Sequence, residues 1–220
     1  MNYVIIVAGP SAVGKTTIIN RLIEENSQFE YVRSATTRDR RGDGNDAEYI
    51  YVSESEFLLY IKDGQMLEYT NYAGKYYGTP RNEIQRIIDD GKTPVLILDI
   101  QGVKSLKAAK LPFSCVALYL YDDIDKITKR LEARMKTSTN DNAEQIFKKR
   151  CEQNRADYLT MPDNAMYFDA FIKNLGVEQS SRKILEATEK ITNFGIDAEE
   201  NLKIANMLKK SVLQYKKQAE

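Results

Sequence analysis

The stretch "GPSAVGKTT", residues 9–17, stands between the apolar run "YVIIVA" (3–8) and the segment "IINRLIEEN" (18–26). Its spacing, Gly9-x-x-x-x-Gly14-Lys15-Thr16, is the phosphate-loop pattern, and it lies where that chemistry needs it, after a strand and at the head of a helix. Glycines let backbone N–H groups turn toward phosphate oxygens, and the helix N-terminus adds its positive dipole. Lys15 suits the β- and γ-phosphates of a nucleotide and the Thr16 hydroxyl suits Mg²⁺. The loop alone fits ATPases, GTPases and small-molecule kinases equally.

Working outward, short apolar runs alternate with helical patterns. Strands are expected at 3–8, 94–99, 114–121 and 170–174, with helices at 14–26, 102–110, 123–134, 143–160 and 177–192. Continuous apolar strands between helices predict an α/β fold with a parallel sheet covered on both faces. Between 31 and 78 the texture becomes period-two and tyrosine-rich, in "YVRSAT", "EYIYV" and "MLEYTNYAGKYYG", which predicts a small, mostly antiparallel inserted sheet. Ser53 and Glu56 form a capping-box signature, and Thr79-Pro80 reads as an N-cap followed by proline at the first helical position. The polar stretch "KTSTNDNAEQ" (136–145) reads as a flap between two arginine-bearing helices. After Asn193 and Gly195, Asp197 and Glu200 can cap a last helix with Leu202, Ala205, Leu208, Val212 and Tyr215 on one face.

The totals limit what such a chain does. Its 220 residues suffice for one enzyme-sized unit, and 32 basic against 32 acidic residues create no overall field toward nucleic acid or membrane. Two cysteines without a CxxC pair suggest neither a disulfide framework nor a zinc site. No apolar run approaches a membrane span, so a cytoplasmic location is expected. Histidine is absent, so any catalysis proceeds without the commonest general base.

"DIQG" (99–102) has the DxxG form of GTPases, but no NKxD base-reading motif accompanies it. The insert carries a denser pattern: "SATTRDRR" (34–41), Tyr49, "LEY" with Glu68, and "GKYYGTP" (74–80). With the phosphate loop and the strand end at Asp99, these blocks resemble guanylate kinase in content and order, over residues 1 to about 190. The resemblance implies a phosphate-loop-kinase parallel sheet flanked by helices, with a core at 1–32, 81–134 and 155–192, a GMP-binding insert at 33–80 and a helical lid at 135–154. Residues 193–220 follow as an amphipathic helical extension.

The resemblance assigns Gly9, Pro10, Ser11, Ala12, Val13, Gly14, Lys15, Thr16 and Thr17 to ATP. It assigns Ser34, Arg38, Arg41, Tyr49 and Tyr77 to the GMP phosphate, and Glu68, Thr79 and Asp99 to guanine. Lys15, Arg41, Arg134 and Arg150 are the implied catalytic residues; Arg130 and Arg155 compete for the lid positions. Mg²⁺, with ATP as phosphoryl donor, is implied at Thr16, with Asp99 acting through water.

The residue chemistry agrees. Guanidinium forks with tyrosine and serine hydroxyls suit a phosphate dianion. A carboxylate from Glu68 can accept the guanine N1–H and 2-amino donors while the Thr79 hydroxyl serves O6. The expected partners are thus ATP and GMP, with no nucleic acid and no membrane, and the sequence leaves homo-oligomer formation open. Four departures from the family pattern stand out: Ala12 for a glycine, Ile97 for an acidic residue, Asp39-Arg40 for a short residue and proline, and a segment before Tyr49 about one residue short.

The expected reaction is transfer of the ATP γ-phosphoryl to GMP, whose acceptor oxygen is already ionised and needs no base. Closure of insert and lid would exclude water. Two other readings stand beside it: a catalytically inactive guanylate-kinase-like protein-binding module, and a phosphate-loop kinase for a different small acceptor.

Overall fold

The computed structural model describes residues 3–40, 49–72, 74–138 and 142–218. In chain order the elements are β1 (Tyr3–Ala8), α1 (Lys15–Glu25), β2 (Phe29–Tyr31), β3 (Ser34–Thr36), β4 (Tyr49–Tyr51), α2 (Glu54–Lys62), β5 (Met66–Tyr72), β6 (Lys75–Pro80) and α3 (Arg81–Asp89). There follow β7 (Thr93–Ile97), α4 (Ile100–Ala108), β8 (Ser114–Tyr121), α5 (Ile124–Lys136), α6 (Ala143–Asn164), a 3₁₀ turn (Ala165–Tyr167), β9 (Ala170–Lys173), α7 (Val177–Phe194) and α8 (Ala198–Gln218). They form two compact units, Met1–Ile6 with Ile23–Cys115, and Val7–Leu22 with Val116–Glu220.

In the first unit the strand order is β2-β7-β1. β2 and β7 are parallel, with Phe29 opposite Thr93 and Tyr31 opposite Val95. A second sheet has the order β4-β3-β6-β5. β5 and β6 form an antiparallel hairpin, β3 is antiparallel to β6, and β3 runs parallel to β4. This sheet buries Ala35, Phe57 and Met66, around which Val52, Tyr60, Ile61 and Tyr76 close. Phe57 stacks on Tyr76 at 5.3 Å between ring centroids. Its helix α2 starts where the capping box requires: the Glu56 N–H donates to Ser53 Oγ at 3.2 Å, and the Ser53 N–H donates to the Glu56 carboxylate at 2.8 Å.

In the second unit β8 and β9 form a parallel pair, with Leu118 opposite Ala170 and Tyr121 opposite Lys173. Tyr119, Phe168 and Phe171 meet at centroid distances of 5.0, 5.4 and 5.9 Å, filling the space between β8 and the turn before β9. Fully buried Tyr158 ties α6 to the end of β8, its hydroxyl donating to the Asp122 carbonyl at 2.7 Å and accepting from the Asp122 N–H at 3.2 Å. Burial pushes its phenol far above the ordinary range, so it stays a neutral donor.

Three local readings of the sequence change. "YVRSAT" is divided: Tyr31 ends β2, the Val32 N–H continues that pairing to the Val95 carbonyl at 2.9 Å, and Ser34 opens the inserted sheet. Between them Arg33 grips buried Glu83 with two hydrogen bonds of 3.0 Å. Thr79 does not cap α3. It pairs with Glu68 inside β6, its hydroxyl donates to the Glu68 carboxylate at 2.7 Å, and Pro80 occupies the cap position.

Leu202 is not on the buried face of α8. It is 46% exposed, whereas Asn201, Ala205, Leu208 and Val212 are buried. The Asn201 amide donates to the Phe168 carbonyl at 3.0 Å, and that polar anchor sets the rotation of the helix. The side chain of Tyr215 lies outside the described residues. Leu208→Ala should cost about 2–5 kcal/mol in urea unfolding, and Leu202→Ala within about 0.5 kcal/mol of zero. Equal costs would place Leu202 in the core after all.

Candidate active site

In the second unit the chain turns out of β1 into a loop with three left-handed or glycine-only positions: Gly9 at φ 151°, Ala12 at φ 65° and Gly14 at φ 106°. A Cβ on Gly9 would stand 2.2 Å from the Leu120 carbonyl oxygen of β8, so no side chain fits there. The Lys15 ammonium folds over the turn and donates to the Gly9 and Pro10 carbonyls at 2.7 and 3.0 Å. The Ile18 N–H bonds the Gly14 carbonyl at 3.0 Å, bringing the loop into α1 without a break. Thr16 and Thr17 stand in the first turn of α1.

Two asparagines brace this loop, and sequence reasoning overlooked both because a lone asparagine carries no pattern. Asn174, just after β9, donates to the Val13 carbonyl at 2.6 Å. Asn154, on α6 and 1% exposed, accepts from the Ser11 N–H at 2.7 Å and donates to the Ser11 carbonyl at 3.1 Å. Beside it the Ala12 methyl packs on Leu131 of α5 and Cys151 of α6, with Phe147 closing the contact. Of the arginines expected in the lid, Arg134 is exposed in the last turn of α5 and Arg150 is half-buried on α6. Arg130 is drawn away to Asp122 at 2.8 Å. Arg155 is half-buried further along α6.

In the first unit the threonines of "TTR" order the end of β3. Thr36 Oγ1 donates to the Tyr76 carbonyl at 2.9 Å and accepts the Arg38 N–H at 3.2 Å, while Thr37 Oγ1 accepts the Tyr76 N–H at 2.9 Å. Arg38, 8% exposed, is thereby held with its guanidinium 4.5 Å from the Tyr49 ring centroid and 5.7 Å from that of Tyr51. Tyr77 meets Tyr49 edge-on at 6.3 Å, and Ser34 is the register partner of Tyr49. Four sequence-predicted residues therefore converge. Arg41 lies outside the described residues.

The spacing Tyr49-x-Tyr51 puts both rings on one face of a strand, a signal from which Tyr51 could have been read. Arg40 stacks on Tyr51 at 4.4 Å. Thr37, Arg38, Arg40, Tyr51 and Lys75 line part of a cavity of about 490 Å³.

Deeper in the same unit, the register of β5 against β6 slips between Met66 and Glu68, leaving Leu67 as an extra residue that re-aims Glu68. Burial pushes the Glu68 carboxyl above its ordinary value; the Thr79 hydrogen bond opposes this and the Asp99 charge adds to it. Asp99 caps α4 by accepting the Gly102 N–H at 2.7 Å. A Cβ on Gly102 would press on Leu98 Cβ at 3.2 Å and reach ordinary contact with Asp99 Oδ1 at 3.4 Å and Glu68 Oε2 at 3.5 Å, so this position lies beside both carboxylates. Among the described residues no three His, Cys, Asp or Glu side chains gather to cage a metal ion.

The strand, the glycine turn, the folded-back lysine and the following helix define a phosphate-loop α/β protein. The family model for guanylate kinase matches residues 1–191. A guanylate kinase of Lactococcus lactis is 33% identical over 187 residues, 83% of this chain and 86% of that protein. One from Oceanobacillus iheyensis is 38% identical over 130 residues, spanning 59% of this chain and 63% of that protein. The crystal structure of guanylate kinase from Anaplasma phagocytophilum has a TM-score of 0.57 at 19% identity, covering 89% of this chain and 97% of that one, a likeness of fold. The chain belongs to the guanylate kinase family.

At Ala12 the geometry sets backbone strain against packing. A left-handed alanine is strained by about 1–2 kcal/mol. Its buried methyl returns about 0.8 kcal/mol, and its stiffer unfolded chain about 0.4–1 kcal/mol. The contributions nearly cancel, so Ala12→Gly should move the unfolding free energy by less than about 1 kcal/mol, while Ala12→Val, β-branched at positive φ, should lose more than about 2 kcal/mol. Chemical denaturation of both variants measures this; a tolerated valine would contradict the left-handed turn.

Proposed function

We propose that the chain divides two nucleotides of one reaction between its two sets of residues, ATP at the loop 9–17 and GMP at the residues around Arg38 and Glu68. The reaction is reversible transfer of the ATP γ-phosphoryl to GMP, giving ADP and GDP. The observation that carries it is the Glu68–Thr79 pair at 2.7 Å: a desolvated carboxylate suited to the guanine N1–H and 2-amino donors, beside a hydroxyl that donates to Glu68 and would rotate its hydrogen to guanine O6 when the base binds. Adenine would set an unprotonated N1 against that carboxylate and leave buried polar groups mispaired, a difference worth about 10⁴ or more in selectivity.

Arg38, Arg41, Ser34, Tyr49 and Tyr77 bind the GMP phosphate dianion. Its oxygen attacks in line with the departing ADP, so no protein base is required, in keeping with a chain that has no histidine. Lys15, Arg134 and Arg150 carry the charge that spreads over the transferred group. The insert 33–80 holds the acceptor, 135–154 forms the lid, and α8 is an added brace of the core.

Thr16 offers a hard oxygen that would hold Mg²⁺, with nucleotide phosphates and water as its other ligands. Magnesium, when bound, supplies neutralisation of the triphosphate charge. Asp99 would take part in that shell through water.

A coupled assay of GDP formation tests the reading. Lys15→Ala should lower turnover by about 10²–10³. Glu68→Gln should mainly erode the preference for GMP over AMP. Equal rates with GMP and AMP in the unmutated protein would refute the assignment of the base pocket.

The raised Glu68 pKa adds a pH signature. Native Glu68 holds its proton at pH values where the unfolded chain has lost it, so ionisation costs stability as pH rises from 4.5 through the native value. Guanine needs the carboxylate form. GMP affinity should therefore weaken as pH falls through that raised value, and Glu68→Gln should remove this acid limb; a limb that persists in the variant would belong to another group.

A further inference from the structure

Among the asparagines, Asn154 has the least ordinary position. It is buried in the middle of a 22-residue helix, yet both ends of its amide are spent on one residue of the phosphate loop. An asparagine is a poor choice for a helix interior on propensity alone, so its value lies in that contact. The Ser11 peptide has its N–H and its carbonyl both satisfied by one side chain, which fixes the plane of that peptide. Ala12, the next residue, sits at φ 65° with its methyl on Leu131 and Cys151. Polar and apolar contacts thus hold adjacent loop residues, and α6 supplies both.

The same helix carries Arg150 four residues before Asn154. That spacing puts the two on one face, one turn apart. Cys151, between them, touches Ala12. The face of α6 that carries Arg150 is therefore the face docked on the loop, and the dock is the Asn154–Ser11 pair.

We propose that Asn154 is a positioning residue for phosphoryl transfer. It sets the Ser11–Ala12 turn, so that the remaining loop amides face the triphosphate, and it fixes the rotation and height of α6, so that Arg150 is delivered to the same phosphates. Ser11 then acts through its geometry, because its N–H is committed to Asn154. The proposal rests on the reading of the loop as the ATP site. It adds that loop order and lid arginine are set by one hydrogen-bonded side chain.

The test compares Asn154→Ala, Asn154→Asp, Arg150→Ala and the double variant Asn154→Ala/Arg150→Ala, with ATP affinity by calorimetry and KM and kcat for both substrates. Asn154→Ala should weaken ATP binding about tenfold or more, the usual consequence of losing buried hydrogen bonds, and lower kcat while the GMP KM stays within about twofold. Asn154→Asp keeps the acceptor for the Ser11 N–H but turns a second oxygen on the Ser11 carbonyl. It should be at least as impaired toward ATP as the alanine variant.

The double variant should be less impaired than the product of the single effects, because Arg150 loses its placement once Asn154 is gone. Strictly multiplicative effects, or unchanged ATP affinity with a lowered melting temperature alone, would overturn the proposal and reduce Asn154 to a packing residue. Should the aspartate variant not fold, the alanine variant and its cycle with Arg150 decide the question. Failure of the unmutated protein to bind ATP would instead remove the loop assignment itself, an outcome separate from normal binding in every variant.

Discussion

A backbone forced through three unusual conformations in six residues has to be held there by its surroundings, and the second unit is organised to do so. Gly9 tolerates no side chain because the Leu120 carbonyl of β8 occupies that space. Asn174 holds Val13, Asn154 holds Ser11 on both sides, and the Ala12 methyl rests on Leu131 and Cys151. A turn that directs amides toward a phosphate cannot also satisfy them within itself, so rigidity has to come from carbonyls and side chains outside it. β8, α5 and the residue after β9 each supply one such support, and α6 supplies two.

The first unit meets a different physical demand. Its buried polar groups are given partners: Glu68 has Thr79, Glu83 has the half-exposed Arg33, and Arg38 lies against two tyrosine rings. A buried carboxylate at a raised pKa and a nearly buried guanidinium are expensive unless a ligand or a neighbour completes them. Placing one at a strand bulge and the other at a strand end lets the sheet fix both without regular pairing interfering.

Much of this was legible in the chain. The strand–loop–helix opening could be read because its residues are consecutive and each has a local reason: apolar strand, glycine turn, cationic Lys15, amphipathic helix. The capping box at Ser53 and Glu56 was readable for the same reason, since both partners lie within one turn. β8 was delimited at Ser114–Tyr121 by its apolar run alone. The tyrosine-rich texture marked an inserted sheet, although the division of "YVRSAT" between two sheets depends on the pairing of Val32 with Val95, 63 positions away.

What the sequence determined by itself is the set of local elements and the chemical character of the loop, because periodicity, capping and glycine placement act over a few residues. Only the tertiary structure decided what Thr79, Leu202 and Asn154 do. Thr79 has the form of a helix cap but gives its hydroxyl to Glu68 across a hairpin; Leu202 fits a buried stripe, but the Asn201 bond to Phe168 turns it outward. Asn154, one asparagine among several, becomes the clamp of the phosphate loop through a contact spanning 143 residues. A hydrogen bond between distant residues leaves no periodic trace, and its energy exists only once folding has removed both partners from water.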